Sequence, residues 1–108
     1  MSAQHTPGPW RFVEASQTIV SNQSHPVARL SEPFHRQCHG GRTGNDGPLI
    51  AATPELLADL RVAAAALRDY ERQHRTKGTA DSDAKAEVNA ALAGRFERTI
   101  TKATGSAA

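Results

Sequence analysis

The chain has little to hold itself together with: one cysteine, one tryptophan, one tyrosine and three phenylalanines in 108 residues. With Cys38 alone, no intramolecular disulfide can staple the fold, which suits a reducing compartment. The shortage of aromatics, in a chain only 38% apolar, predicts a thin core for a single small domain spanning residues 1–108. Packing one helical face on a symmetry mate adds buried apolar area at roughly 25 cal/mol per Å² without lengthening the chain, so a homo-oligomer is expected. No window approaches the ~20 apolar residues of a membrane span, and Met1–Pro9 lacks the basic and apolar regions of a secretory signal. The expectation is therefore a soluble, cytoplasmic protein with no membrane partner. A net charge of +2 is too small to indicate nucleic-acid binding, which is not favoured, although ten of the thirteen cations are arginines.

Catalytic signatures are also missing. There are no paired carboxylates on a suitable scaffold, no phosphate loop and no serine elbow, so the chain reads as non-enzymatic and without a cofactor. His35-Arg36-Gln37-Cys38-His39 gathers three side chains that zinc would accept, with His25 and His5 further off. It lacks a second paired half-site such as Cys-x-x-Cys, so the cluster reads as fortuitous and no metal is expected. Cys38 as a nucleophile is weaker still, although His39 and Arg36 beside it could lower its pKa.

What is present is periodicity. Trp10–Glu14, Thr18–Val20 and Pro26–Leu30 are short and β-favouring, and Ser21-Asn22-Gln23-Ser24 has turn chemistry in which asparagine tolerates left-handed backbone. An antiparallel hairpin or three-stranded meander over residues 10–31 follows. Pro7 and Pro9 around Gly8 keep residues 1–9 extended and unpaired, because proline has no N–H for a ladder. Residues 32–47, rich in glycine and polar side chains, read as a mobile surface loop.

Thr53 is a candidate N-cap, with Pro54 at the first helical position and Glu55 at the positive end of the dipole. The helix then runs to about Arg75, within a helical region 48–75. Leu56, Leu60, Ala63, Ala64, Leu67, Tyr70 and His74 define its expected buried stripe, and the alanines permit close approach of another helix. Residues 76–82 form a connector. A second helix over residues 83–102, capped by Ser82 or Asp83, carries Val88, Leu92, Phe96 and Ile100 at intervals of four, with Ala91 beside them. Residues 103–108 should fray. Two long antiparallel helices with a small sheet make an α+β fold.

Two segments, His5-Thr6-Pro7-Gly8-Pro9-Trp10 and Leu49-Ile50-Ala51-Ala52-Thr53-Pro54-Glu55-Leu56-Leu57, together give a family resemblance. The chain resembles small accessory proteins of tailed bacteriophages and prophages that begin near His-Thr-Pro-Gly-Pro-Trp, continue into a β-hairpin, and enter a long helix through an Asn-Ala-x-Leu-Ile-Ala-Ala-Ala-Pro-Glu-Leu-Leu type segment. Gly47-Pro48 and Thr53 depart from that pattern, and Pro48 is expected to shorten or abolish the preceding helical turn. The resemblance implies phage origin, an accessory role and a location in the host bacterial cytoplasm. Proteins of this size and origin are often inhibitors of bacterial immunity, an association of origin and not of any site.

The residues with most to offer chemically are Arg61, Arg68, Arg72 and Arg75, spaced by seven, four and three along the first helix and so sharing one stripe within roughly 60°. Guanidinium groups so placed could hold phosphates of a nucleotide bidentately. The alternative is a solvated face, or ion pairing with Asp83, Glu87 and Glu97 of the second helix or a partner subunit. Trp10 could stack on a base, although a chain so poor in aromatics should keep its largest one in the core. The leading expectation is a homo-oligomeric counter-defence protein that binds an anionic small molecule, a nucleotide, or a bacterial defence protein. A protein–protein interaction module with no anion ligand stands second, and a small metal-dependent enzyme using His35, Cys38 and His39 third.

Overall fold

A computed structural model describes residues 5–30 and 43–105, with the backbone alone at Thr43 and Gly44. Three strands, β1 (Arg11–Val13), β2 (Thr18–Val20) and β3 (Pro26–Arg29), are followed by helices α1 (Thr43–Ala51), α2 (Thr53–Lys77) and α3 (Ala80–Thr104). The fold is α+β. The chain divides into two compact units, His5–Leu56 and Leu57–Ala108.

The strands form an antiparallel meander in the order β1-β2-β3. Arg11 pairs with Val20, Phe12 with Ile19 and Val13 with Thr18, while between β2 and β3 a bulge moves the register from Ile19–Ala28 to Val20–Pro26. A 3-10 turn at Glu14–Ser16 connects β1 to β2 and closes on Gln17 with φ of 55°. The β2–β3 turn is built on buried Ser21, whose carbonyl accepts from Ser24 N at 2.9 Å and whose hydroxyl accepts from the backbone N–H groups of Gln23 and His25, each at 3.3 Å. The left-handed residue there is Ser24, with φ of 62°, and not the expected Asn22. Serine's hydroxyl network holds the turn in place of asparagine's tolerance of that backbone.

Ile19 is fully buried, and α1 packs on β1 and β2. The first correction lies here: residues 43–47, expected as part of a mobile loop, belong to a helix that continues through Pro48. Pro48 removes one backbone donor from α1, yet Gly47 is buried against Phe12, and a Cβ at 47 would stand 2.6 Å from the ring. Tertiary packing on β1 therefore outweighs the local penalty of proline. The remainder of the expected loop, with His35, Cys38 and His39, lies outside the described residues.

A single residue, Ala52, separates α1 from α2. Its carbonyl accepts from Leu56 N at 3.0 Å, so Ala52 occupies the cap position. Thr53 is the first helical residue, and its hydroxyl donates back to the Leu49 carbonyl at 3.4 Å and does not cap. Helix α2 is two residues longer than expected at its far end, and Gly78 ends it with φ of +69°. Helix α3 begins earlier than residue 83, because Thr79 is the cap, accepting from Ser82 N at 3.1 Å, with Asp81 and Asp83 in the first turn. It reaches Thr104 and stops on Gly105 with φ of +67°, so residues 103 and 104 are helical.

Within this second unit, the helical seam differs most from the periodicity reading. The buried positions are Leu57 and Ala64 on α2 and Ser82, Ala86 and Ala93 on α3. Leu56 and Tyr70, expected inside, are exposed, as are Val88 and Leu92. Small side chains hold most of the buried positions, and several larger neighbours at adjacent wheel positions stand at the flank. Ala63, Leu60, Leu67, His74, Phe96 and Ile100 lie half-buried between these extremes.

Candidate functional site

The expected arginine stripe lies along α2, and its chemistry is set by carboxylates on both helices. Arg68 meets Glu97 of α3 as a fork, Nε to Oε2 at 3.0 Å and Nη2 to Oε1 at 2.6 Å, while its Nη1 reaches Glu71 Oε1 at 3.0 Å. Arg75 donates through Nε to the other Glu71 oxygen at 3.0 Å and through Nη2 to Glu87 at 3.1 Å. Arg72 pairs with Asp69. Arg61 is exposed and makes no ion pair among the described residues.

Glu71, whose side chain is only 17% exposed, thus bridges two guanidinium groups. The hydrogen bond from Arg68, then that from Arg75, holds its carboxyl below the usual glutamate range, and Arg68 does the same to Glu97. Reciprocally, Arg68 and Arg75 are pushed further toward the cationic form by those carboxylates. Two of the four expected ligand arginines are thereby neutralised inside the hairpin, through two of the three carboxylates weighed as alternatives, Glu87 and Glu97. Asp83 takes no part among the described residues.

Three further cations that the sequence reading passed over lie on α3. Arg95, Arg98 and Lys102 recur at intervals of three and four on α3, the spacing of a single face, and none has an ion-pair partner among the described residues. That spacing was visible in the sequence. The signal was masked by Val88, Leu92 and Phe96, whose regular fours drew the helix's assignment to its apolar side. At Gly94 the absence of a side chain leaves room beneath two guanidinium groups: Arg98 Nη1 stands 3.5 Å, and Arg68 Nη2 4.0 Å, from where a Cβ would be. An open cavity of about 390 Å³ lies here, lined by Gly94, Glu97, Arg98 and Thr101. Such an arrangement can accept phosphate or carboxylate oxygens.

Trp10 belongs to the other unit and is half-buried, its Nε1 donating to the Thr6 carbonyl at 3.1 Å and its ring meeting His5 edge-on at 6.0 Å. The ring closes a small knot within His5–Trp10. Gly8 packs on Pro54, where a Cβ would lie 2.8 Å from the proline's own, so the two sequence segments that carry the resemblance touch. They read as one structural joint of the first unit, with Trp10's polar atom already spent.

No helix among the described residues is long and apolar enough to cross a membrane. A family model described as Salmonella phage P22 protein Y8K6 matches residues 1–107. No curated protein and no solved structure matches the chain.

Proposed function

Since the chain belongs to the family of the Salmonella phage P22 protein Y8K6, we propose that it is a phage accessory protein that works by binding, not by catalysis, and inhibits bacterial antiviral immunity by holding an anionic nucleotide signal or an acidic face of a defence complex. The observation that supports this reading is the set of uncommitted cations at the open end of the helical hairpin. Arg98 lines the Gly94 opening and has no carboxylate partner among the described residues, with Arg68 fixed beside it by Glu97 and Glu71, and Arg61 is exposed on α2 with no ion pair among them. A phosphate arriving there meets the Arg98 guanidinium, which need not first abandon an ion pair among the described residues. Arg75, bound on two sides, and Arg72, paired with Asp69, contribute less than the sequence alone suggests.

The test is mass spectrometry of small molecules released from protein purified out of immune-activated bacteria, run beside the Arg61→Ala/Arg98→Ala double variant. A nucleotide carried by the wild type and lost in the variant, together with loss of anti-immune activity, supports the reading. Full activity in the double variant rejects it. Salt-insensitive capture of a bacterial protein by both forms would instead favour a docking module with no anion ligand.

A further inference from the structure

The side of the hairpin opposite the Arg68–Glu97 fork carries large apolar residues that are exposed among the described residues. At 100° per residue, Leu60, Leu67 and Tyr70 lie on one flank of the α2 seam and Arg61, Arg68 and Arg72 on the other. On α3, Val88, Leu92 and Phe96 lie on one flank of the Ser82–Ala86–Ala93 line and Glu97 on the other. The Arg68–Glu97 fork ties the two charged flanks to the same side, so the two apolar flanks share the opposite side. There Tyr70 is 52%, Val88 68% and Leu92 39% exposed.

We propose that this apolar face is the contact surface for a second copy of the same chain, with α2 lying antiparallel on α2 of the other copy to close a four-helix bundle. Three observations select that occupant. Alanines hold the hairpin's own seam, so its larger side chains find their burial outside the pair, and a four-helix bundle is the arrangement that gives each helix two neighbours. The face measures about 37 Å by about 20 Å from helix length and diameter, or roughly 700 Å² per copy, close to the ~800 Å² per partner of a stable interface. Finally, the outer edge of α2 is self-complementary in charge. Asp59 and Lys77, both exposed, are five full turns apart on one line, about 27 Å, so an antiparallel copy brings each Asp59 opposite the other copy's Lys77.

The experiment is sedimentation velocity on the full chain at ~100 μM, the range in which an interface of this size is populated, with circular dichroism confirming helix content in every variant. The wild type should sediment at twice the 11.5 kDa chain mass. Val88→Asp/Leu92→Asp, at exposed positions where the fold of one copy is unaffected, should raise the dissociation constant at least ~100-fold. Asp59→Lys should raise it about 2–5-fold, and Asp59→Lys/Lys77→Asp should restore it, since rim pairs set orientation more than strength. A wild type that sediments as one chain overturns the proposal, as does a dimer indifferent to the double aspartate. Failure of the charge exchange to restore affinity overturns the antiparallel arrangement. None of these readings depends on Arg61 or Arg98, so the anion proposal and this one fail separately.

Discussion

The two units of this chain use their apolar residues in opposite ways. In His5–Leu56, three short strands and α1 enclose Ile19 completely, and glycines at 8 and 47 let Pro54 and Phe12 come into contact with backbone. From Leu57 on, alanines occupy the fully enclosed positions, Ala86 and Ala93 at 0% exposure, while Tyr70, Val88 and Leu92 stand outside. One unit is locked by a large side chain and the other by buried alanines plus a row of ion pairs. A region that keeps its large residues inside has little left for partners; one that keeps them outside has a surface to offer. Binding is therefore expected of the hairpin, and stability should be most sensitive to substitution in the meander.

Truncating Ile19 is the harshest way to test that contrast. Ile19→Ala removes a fully buried side chain, and chemical denaturation should record a loss of about 2–5 kcal/mol, enough to unfold a marginal unit. A loss near that of a surface substitution would show the meander's core to be elsewhere. The hairpin's counterpart is Ala93→Leu, which adds bulk where the helices meet; overpacking should cost about 1–3 kcal/mol. If Ala93→Leu proves neutral, the helices are not closely packed and the difference between the units disappears. A smaller effect belongs to the joint of the hairpin. Thr79→Ala leaves Ser82 N without its acceptor and should cost about 1 kcal/mol, seen as fraying at the start of α3 by amide hydrogen exchange.

Much of this was legible before any coordinates. Strand positions from Trp10 to Leu30 followed from alternation and turn residues, because a small meander is specified locally. The two helices followed from their periodicity, and their ends shifted by only a few residues. What periodicity could not say is which of two adjacent apolar stripes faces inward. On α3 the Val88–Leu92–Phe96 row and the Ser82–Ala86–Ala93 row lie on neighbouring faces, and hydrophobicity ranks the first above the second. Helix proximity reverses that order, since leucine at the seam would hold the axes apart. The helix through Pro48 was hidden for a related reason: a contact with Phe12, thirty-five positions away, decides it. Of the candidate site, the arginine stripe on α2 was readable. Its internal neutralisation was visible only as one of two options, because both Glu87 and Glu97 had to be at the right height on the facing helix.

The gentlest way to sharpen the contrast is acid, which addresses the ion pairs and leaves the meander's apolar core untouched. Glu71 and Glu97 both have carboxyl pKa values held below the ordinary range in the folded hairpin by Arg68, with Arg75 adding to the effect at Glu71. In the unfolded chain each returns to about 4.3. A group with a depressed folded pKa contributes its full stabilisation above the unfolded value and loses it as pH falls through the folded one. Hairpin stability should therefore be level near neutrality and decline below about pH 4.5 as these carboxylates take up protons. Because the pairs are substantially open to solvent, the decline should be modest and should shrink further in ~1 M salt, where the screening length is about 3 Å. Hydrogen exchange read separately in α2–α3 and in β1–β3 gives the decisive measurement. Acid should loosen the helices while the strands keep their protection, and Glu97→Gln should flatten the pH dependence of the helices alone. Equal loss in both regions would mean that the ion-pair row is not what distinguishes the hairpin.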